Sequence, residues 1–263
     1  MKIFINIFFL CIATNLFAAD SLKLIQRIPM RATIMTTDKA GSVYCAKTNH
    51  TIYRYDLNGD STGFFSVIRK GDVTQIDATN PMRLLVFCAG VPQLYFLDRM
   101  LSAKNSIDLK QLKIYDCPAI AYSADGLTWA FNTINSELIK IDDDSKTTTA
   151  SFNLLQLLQT NVQPVYITEQ ERTLFVVDTT LGILKFDQFG TYINTYHFFP
   201  KEMQYVNEQL IFYKNGEVIS YNTKTIQQQK LQLYNPENIL NARIERNRLY
   251  VLRKDCLEIF ALF

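Results

Sequence analysis

Apolar runs that recur in pairs about every forty residues, turn residues that separate them, and one unpaired apolar run near the N-terminus predict an all-β fold. Together they describe a six-bladed β-propeller whose last blade is closed by the N-terminal strand of the mature chain. The first run of each pair reads SVYCAK (42–47), LLVFCA (84–89), LTWAFN (127–132), TLFVVD (173–178), QLIFYK (209–214) and RLYVLR (248–253). The second reads IYRYD (52–56), LYFLD (94–98), LIKID (138–142), ILKFD (183–187), VISYN (218–222) and LEIFA (257–261). The second runs end at 56, 98, 142, 187, 222 and 261, spacings of 42, 44, 45, 35 and 39. A two-sheet sandwich would explain the strands but not the period.

Taken in order, residues 1–19 come first. Lys2 precedes an uncharged apolar run from Ile3 to Phe17, then Ala18 and Ala19. A positive start, a short apolar core and small residues before the first acid describe a secretory signal peptide. The run is shorter than the roughly 20 apolar residues of a membrane span. Residues 20–263 are then a single propeller domain, exported and expected in the periplasm.

The run LKLIQRIP (22–29) has no partner of its own, and the sixth unit ends without an outer strand. Pairing the two removes an open sheet edge. Inner strands are expected at TIMTT (33–37), VTQID (73–77), AIAYS (119–123) and PVYIT (164–168), and polar outer strands at TYINTYHF (191–198) and TIQQQKLQL (225–233). Asn215-Gly216 is a tight hairpin signal, and Asp125-Gly126, LNGD (57–60) and Phe189-Gly190 mark further turns.

The 27 Lys and Arg against 25 Asp and Glu leave a charge of +2, too balanced for a protein that tracks nucleic-acid phosphates. The two histidines, His50 and His197, lie in different units and exclude a His-rich metal site. No nucleophile elbow, P-loop, HExxH or CxxC is present. SADGLTW (123–129) and the acidic stretches DLNGD (56–60) and Asp142-Asp143-Asp144 read as solvated turns rather than as ion or substrate sites. Trp129 reads as blade core. Cys45, Cys88, Cys117 and Cys256 follow the leader. Export permits disulfides, but three of the four lie in apolar runs, which favours buried thiols. No cofactor is expected.

Three features are candidate partner contacts. The connection SFNLLQLLQTNVQP (151–164) carries Leu154, Leu155, Leu157 and Leu158, which would share one face of a short helix. GFFSVI (63–68) and YHFFP (196–200) place Phe64, Phe65, Phe198 and Phe199 on outer strands, where one face should be wet. The expectation is a non-catalytic propeller that binds another protein. The alternative is an enzyme or small-ligand binder using the central channel. For that reading the candidates are Asp77, Asp116 and Glu169, near the ends of inner strands.

The stretch 71–109 contains Asp77-Ala78-Thr79-Asn80-Pro81, then Leu97-Asp98-Arg99-Met100-Leu101-Ser102, then Ile107-Asp108-Leu109. It resembles the second blade of a family of exported propeller-like proteins of Bacteroidota, and RLYVLRKDCLEIFAL (248–262) resembles that family's last blade. Within the family the chain is similar to the Plug subunits of the type IX secretion translocon. The resemblance implies no enzyme activity. It implies a periplasmic protein that associates with an outer-membrane β-barrel translocon, without a membrane span of its own.

Overall fold

The computed structural model describes residues 22–67 and 71–262. The leader expected over 1–19 lies outside the described residues. Strand β1 (Leu22–Pro29) precedes blade 1, which comprises β2 (Ala32–Thr37), β3 (Val43–Lys47), β4 (Thr51–Tyr55) and β5 (Ser61–Ser66). Blade 2 is β6 (Gln75–Asp77), β7 (Leu84–Cys88), β8 (Gln93–Leu97) and β9 (Ala103–Asp108). Blade 3 is β10 (Ile120–Tyr122), β11 (Thr128–Asn132), β12 (Glu137–Ile141) and β13 (Thr147–Thr149). A one-turn helix, α1 (Leu154–Leu158), leads into blade 4: β14 (Pro164–Gln170), β15 (Thr173–Asp178), β16 (Gly182–Asp187) and β17 (Tyr192–Tyr196). Blade 5 is β18 (Gln204–Val206), β19 (Gln209–Lys214), β20 (Glu217–Asn222) and β21 (Gln228–Gln232). Blade 6 has β22 (Ile239–Glu245), β23 (Arg248–Arg253) and β24 (Cys256–Leu262), with β1 as its fourth, outer strand. All six sheets are four-stranded, and their pairing is antiparallel. The expected six-bladed propeller is the observed fold.

The middle strands are rich in apolar residues, and β7 is an unbroken apolar run, because both faces of the blade are covered. All five residues of LLVFC (β7) and of TWAFN (β11) are buried. Apolar clusters fill the seams between neighbouring blades. Trp129 and Phe131 of blade 3 pack with Leu174, Val176 and Phe186 of blade 4. Cys45 and Tyr55 of blade 1 pack with Tyr250 and Leu257 of blade 6, which closes the ring. Cys45, Cys88, Cys117 and Cys256 are free and buried, as expected. Burial pushes the thiols of Cys45 and Cys117 up to about 12.

The residue that ends each second run has a structural cause. Asp56, Asp98 and Asp187 each accept hydrogen bonds from the backbone N–H groups two and four residues on, which fixes the turn into the outer strand. Asp142 accepts from Lys146 N, and Asn222 accepts from Lys224 N and Thr225 N. Ala261 needs no such side chain, because blade 6 takes its outer strand from β1. The first acid of each of these turns is therefore committed to its own backbone, while Asp143 pairs with Arg83 of blade 2. At Asn215-Gly216 both residues have positive φ, 50° and 89°, and join β19 to β20 in the expected tight hairpin.

β1 runs antiparallel to β24 from Leu22 opposite Leu262 to Pro29 opposite Cys256. The seam carries charge as well. Arg253 donates to Glu258 at 2.6 Å and to the carbonyls of Tyr234 and Asn235. Arg27 of β1 lies 3.7 Å from the same carboxylate, and its Nε donates to Cys256 Sγ. Among the described residues no helix is long and apolar enough to cross a membrane.

Candidate functional site

Because the strands of a blade alternate in direction, the loops divide between two ends of the ring. One end holds the hairpins that join each inner strand to its neighbour. The other holds the middle hairpins and the connections from one blade to the next; we call it the connection face.

Inner strands converge on the axis, where side chains replace a continuous backbone ladder. Gln75 of β6 donates to the carbonyls of Ile120 and Ile167 and accepts from Ile120 N, tying blades 2, 3 and 4 together. Gln204 of β18 makes the same two-way contact with Ile244 of β22. Asp77 accepts from Tyr122 N of blade 3 and from Thr79 N. Burial raises its carboxyl above the ordinary range, against the pull of those N–H groups. Glu169 accepts from Trp129 Nε1 at 2.5 Å, Ser123 Oγ at 2.7 Å and Ala124 N at 3.1 Å. Ser123 thus serves Glu169, while Asp125 caps Leu127 N within the SADG turn.

Arg243 is buried at the axis. Its Nη1 lies 3.1 Å from Glu202, which also accepts from Asn241 Nδ2 at 2.6 Å. Burial opposes the charge on Arg243, but Tyr166 and Glu202 outweigh it and hold the guanidinium above its ordinary value. Burial pushes the Tyr166 hydroxyl up to about 12. A cavity of about 490 Å³ opens at the inner-hairpin end, with Thr37, Asp77, Tyr166, Arg243 and Glu245 on its wall.

The three acids named for channel chemistry do not converge. Asp77 and Glu169 lie towards the inner-hairpin ends of β6 and β14, each engaged by donors from a neighbouring blade. Asp116 precedes β10, at the opposite end, and is exposed. Among the described residues no group of three or more His, Cys, Asp or Glu side chains is placed to hold a metal ion.

The connection face is different in character. Residues 150–163 contain no charged side chain, and neither does the middle hairpin of blade 3, residues 133–136. Helix α1 is seated on that hairpin: Leu154 N donates to Ser136 O, and Asn153 Nδ2 donates to Asn135 O. Asn153 also caps the helix by accepting from Gln156 N. Leu154 is fully buried and Leu158 packs beside it on the seam of blades 3 and 4. Leu155 and Leu157 face outward, 46% and 47% exposed, next to Phe152 at 78% and Ile134 at 67%. The four expected leucines therefore split into an anchoring pair and an outward pair. Phe152 and Ile134 were not singled out in the sequence. An apolar residue at the tip of a hairpin, as in TINS (133–136), is the signal that marks Ile134.

The phenylalanine pairs also split. Phe65 is buried against Tyr95 of blade 2, whereas Phe64 is exposed on the outer edge beside Tyr53. Phe198 and Phe199 do not lie on the outer strand: β17 ends at Tyr196, and both belong to the connection into blade 5. A chain bending towards the axis cannot continue the ladder. Phe198 packs on Phe212 and Tyr221, and Phe199 lies at the mouth of a second cavity on the connection face. The inner-hairpin end, by contrast, exposes Glu171 and Arg172, and the outer turns expose Asp143, Asp144 and Lys224.

No family model matches the chain, and no curated protein matches it in sequence. Solved structures match it in shape. A virginiamycin B lyase from Staphylococcus aureus is 11% identical with a TM-score of 0.62, over 92% of this chain and 100% of that one. The WD40 domain of Neurospora crassa Pan2 is 9% identical with a TM-score of 0.64, over 93% and 96%. BBS1N, solved in complex with ARL6DN, is 11% identical with a TM-score of 0.58, over 92% and 97%. At these identities the likeness is one of architecture, and that architecture is the β-propeller.

Proposed function

We propose that this chain is a non-catalytic propeller that binds another protein through its connection face. The observation that carries the reading is the part of the rim formed by residues 133–136 and 150–163, which carry no charged side chain and where Phe152, Leu155, Leu157 and Ile134 stand exposed on a helix and hairpin held by hydrogen bonds. A contiguous apolar patch on a rigid support is what a protein contact needs, because little ordering entropy is lost on docking. Asp77 and Glu169 support the reading, since both are engaged in holding blades together. The likeness to BBS1N, solved with a protein bound, is compatible with it.

The finer version rests on the leader-like residues 1–19 and on the resemblance of 71–109 and 248–262. In it, the protein is exported to the periplasm and acts as a plugging subunit of an outer-membrane β-barrel complex of the type IX secretion kind. Affinity purification of the full chain from envelope extract after crosslinking should recover a barrel subunit. The double substitution Leu155→Asp with Leu157→Asp should lower that recovery about tenfold, the size of a modest interface hot spot, without changing the melting temperature. Recovery of the chain alone would overturn the contact reading; recovery of a partner other than a barrel would overturn only the finer version. The cavity of about 490 Å³ at the inner-hairpin end favours the second reading, a small-ligand site in the channel.

A further inference from the structure

The second cavity, of about 530 Å³, lies on the connection face between blades 5 and 6. That volume falls within the range of ligand pockets, roughly 300–1,000 Å³. Its walls are Phe199 and Pro200 from the connection into blade 5, Tyr213 from the end of β19, Pro236 from the connection into blade 6, and Ile239 and Leu240 from the start of β22. Two rings and two prolines make stiff walls, so a guest side chain orders little as it enters.

Two lysines and two glutamates line this cleft, but they are not equally engaged. Glu202 at its inner end is already engaged by Arg243 and Asn241. Lys201 and Lys214, on the blade 5 side, form no ion pair among the described residues; Lys214 lies over the Phe199 ring instead, 5.7 Å from its centre. Glu237 stands on the facing wall. The blade 5 side thus offers two cations outside any close ion pair beside an apolar hole, Lys214 free of carboxylate partners among the described residues and Lys201 within electrostatic reach of Glu202. That arrangement complements an acidic group carried next to an apolar one.

We propose that this cleft takes a short segment of a partner chain in which an aromatic residue is followed by an aspartate or glutamate. The ring enters between Phe199, Tyr213 and Leu240, and the carboxylate meets Lys201 and Lys214. The inference rests on the contact reading only in taking the guest to be part of a protein. The cleft and the Leu155 rim lie in different blades, so each is tested without the other.

The test is a titration of the full chain, labelled at isoleucine and leucine methyl groups, with the peptide acetyl-Gly-Phe-Asp-Gly-amide, followed by NMR. The expected result is a saturating shift of the Ile239 and Leu240 methyl signals. The Phe-to-Ala peptide should produce no such shift. The Asp-to-Asn peptide, and the wild-type peptide on Lys201→Glu with Lys214→Glu, should each bind about tenfold more weakly, as expected for the loss or reversal of two surface charge contacts. Glu237→Gln should tighten binding. Shifts that map elsewhere, or equal binding of the Asp and Asn peptides, would overturn the proposal. Failure here leaves the envelope purification to decide the contact reading independently.

Discussion

Glu169→Ala should lower the unfolding free energy by about 4 kcal/mol, read from urea denaturation with an unchanged m-value. One carboxylate accepts from three donors: Trp129 Nε1, Ser123 Oγ and the Ala124 N–H. These groups belong to β11 and to the hairpin of blade 3, while Glu169 belongs to β14 of blade 4, so the interaction spans the seam. A hydrogen bond to a charged group contributes roughly 1.5–3 kcal/mol, and each buried donor left unpaired costs roughly 1–3 kcal/mol. The sum is limited because water can reach the hairpin once the carboxylate is gone, so about 4 kcal/mol is expected rather than the full total. Trp129, fully buried, would keep its packing. Glu169→Gln keeps the shape but turns an amide donor towards three donors, and should fall between wild type and alanine. A loss under about 1 kcal/mol for alanine would show that this cluster does not hold the seam.

Removing residues 22–28 should be comparably damaging, by a different route. β1 hides little apolar surface of its own, since Leu24 and Ile25 are largely exposed. Its work is the backbone ladder along β24, with Arg27 facing Glu258. At about 0.5–1 kcal/mol net per ladder bond, losing the strand costs about 3–5 kcal/mol. It also leaves β24 as an open edge, which invites pairing with a second chain. Light scattering should show oligomers, and the melting transition should fall by about 10 °C or more. A monomeric truncated chain that melts like the full one would refute closure by β1.

The strands, their period and the closing strand were legible because each middle strand is covered on both faces. LLVFC is apolar throughout and TWAFN is apolar between its end residues Thr128 and Asn132, and in blades 1–5 the hairpin leading to the outer strand starts with a side chain that caps its turn. Asp56, Asp98, Asp142, Asp187 and Asn222 therefore marked the period. The site was less legible, since exposure depends on which way a side chain faces relative to the next blade. Phe64 and Phe65 are neighbours in sequence, yet one is exposed and the other buried against Tyr95. Leu154 and Leu155 divide in the same way. Nothing in the sequence singles out Gln75 and Gln204; only the convergence of inner strands at the axis gives them partners. Asp116 could not be told from Asp77 and Glu169 until strand direction placed it at the opposite end of the ring.

The connection face can be tested against its opposite directly. A photoreactive phenylalanine analogue at Phe152, 78% exposed on the connection face, is compared with the same analogue at Met82, 64% exposed at the inner-hairpin end. Both chains are produced in the native envelope and irradiated. A discrete protein adduct from position 152 and none from position 82 is the predicted result; an adduct from position 82 alone, or equal adducts from both, would contradict it.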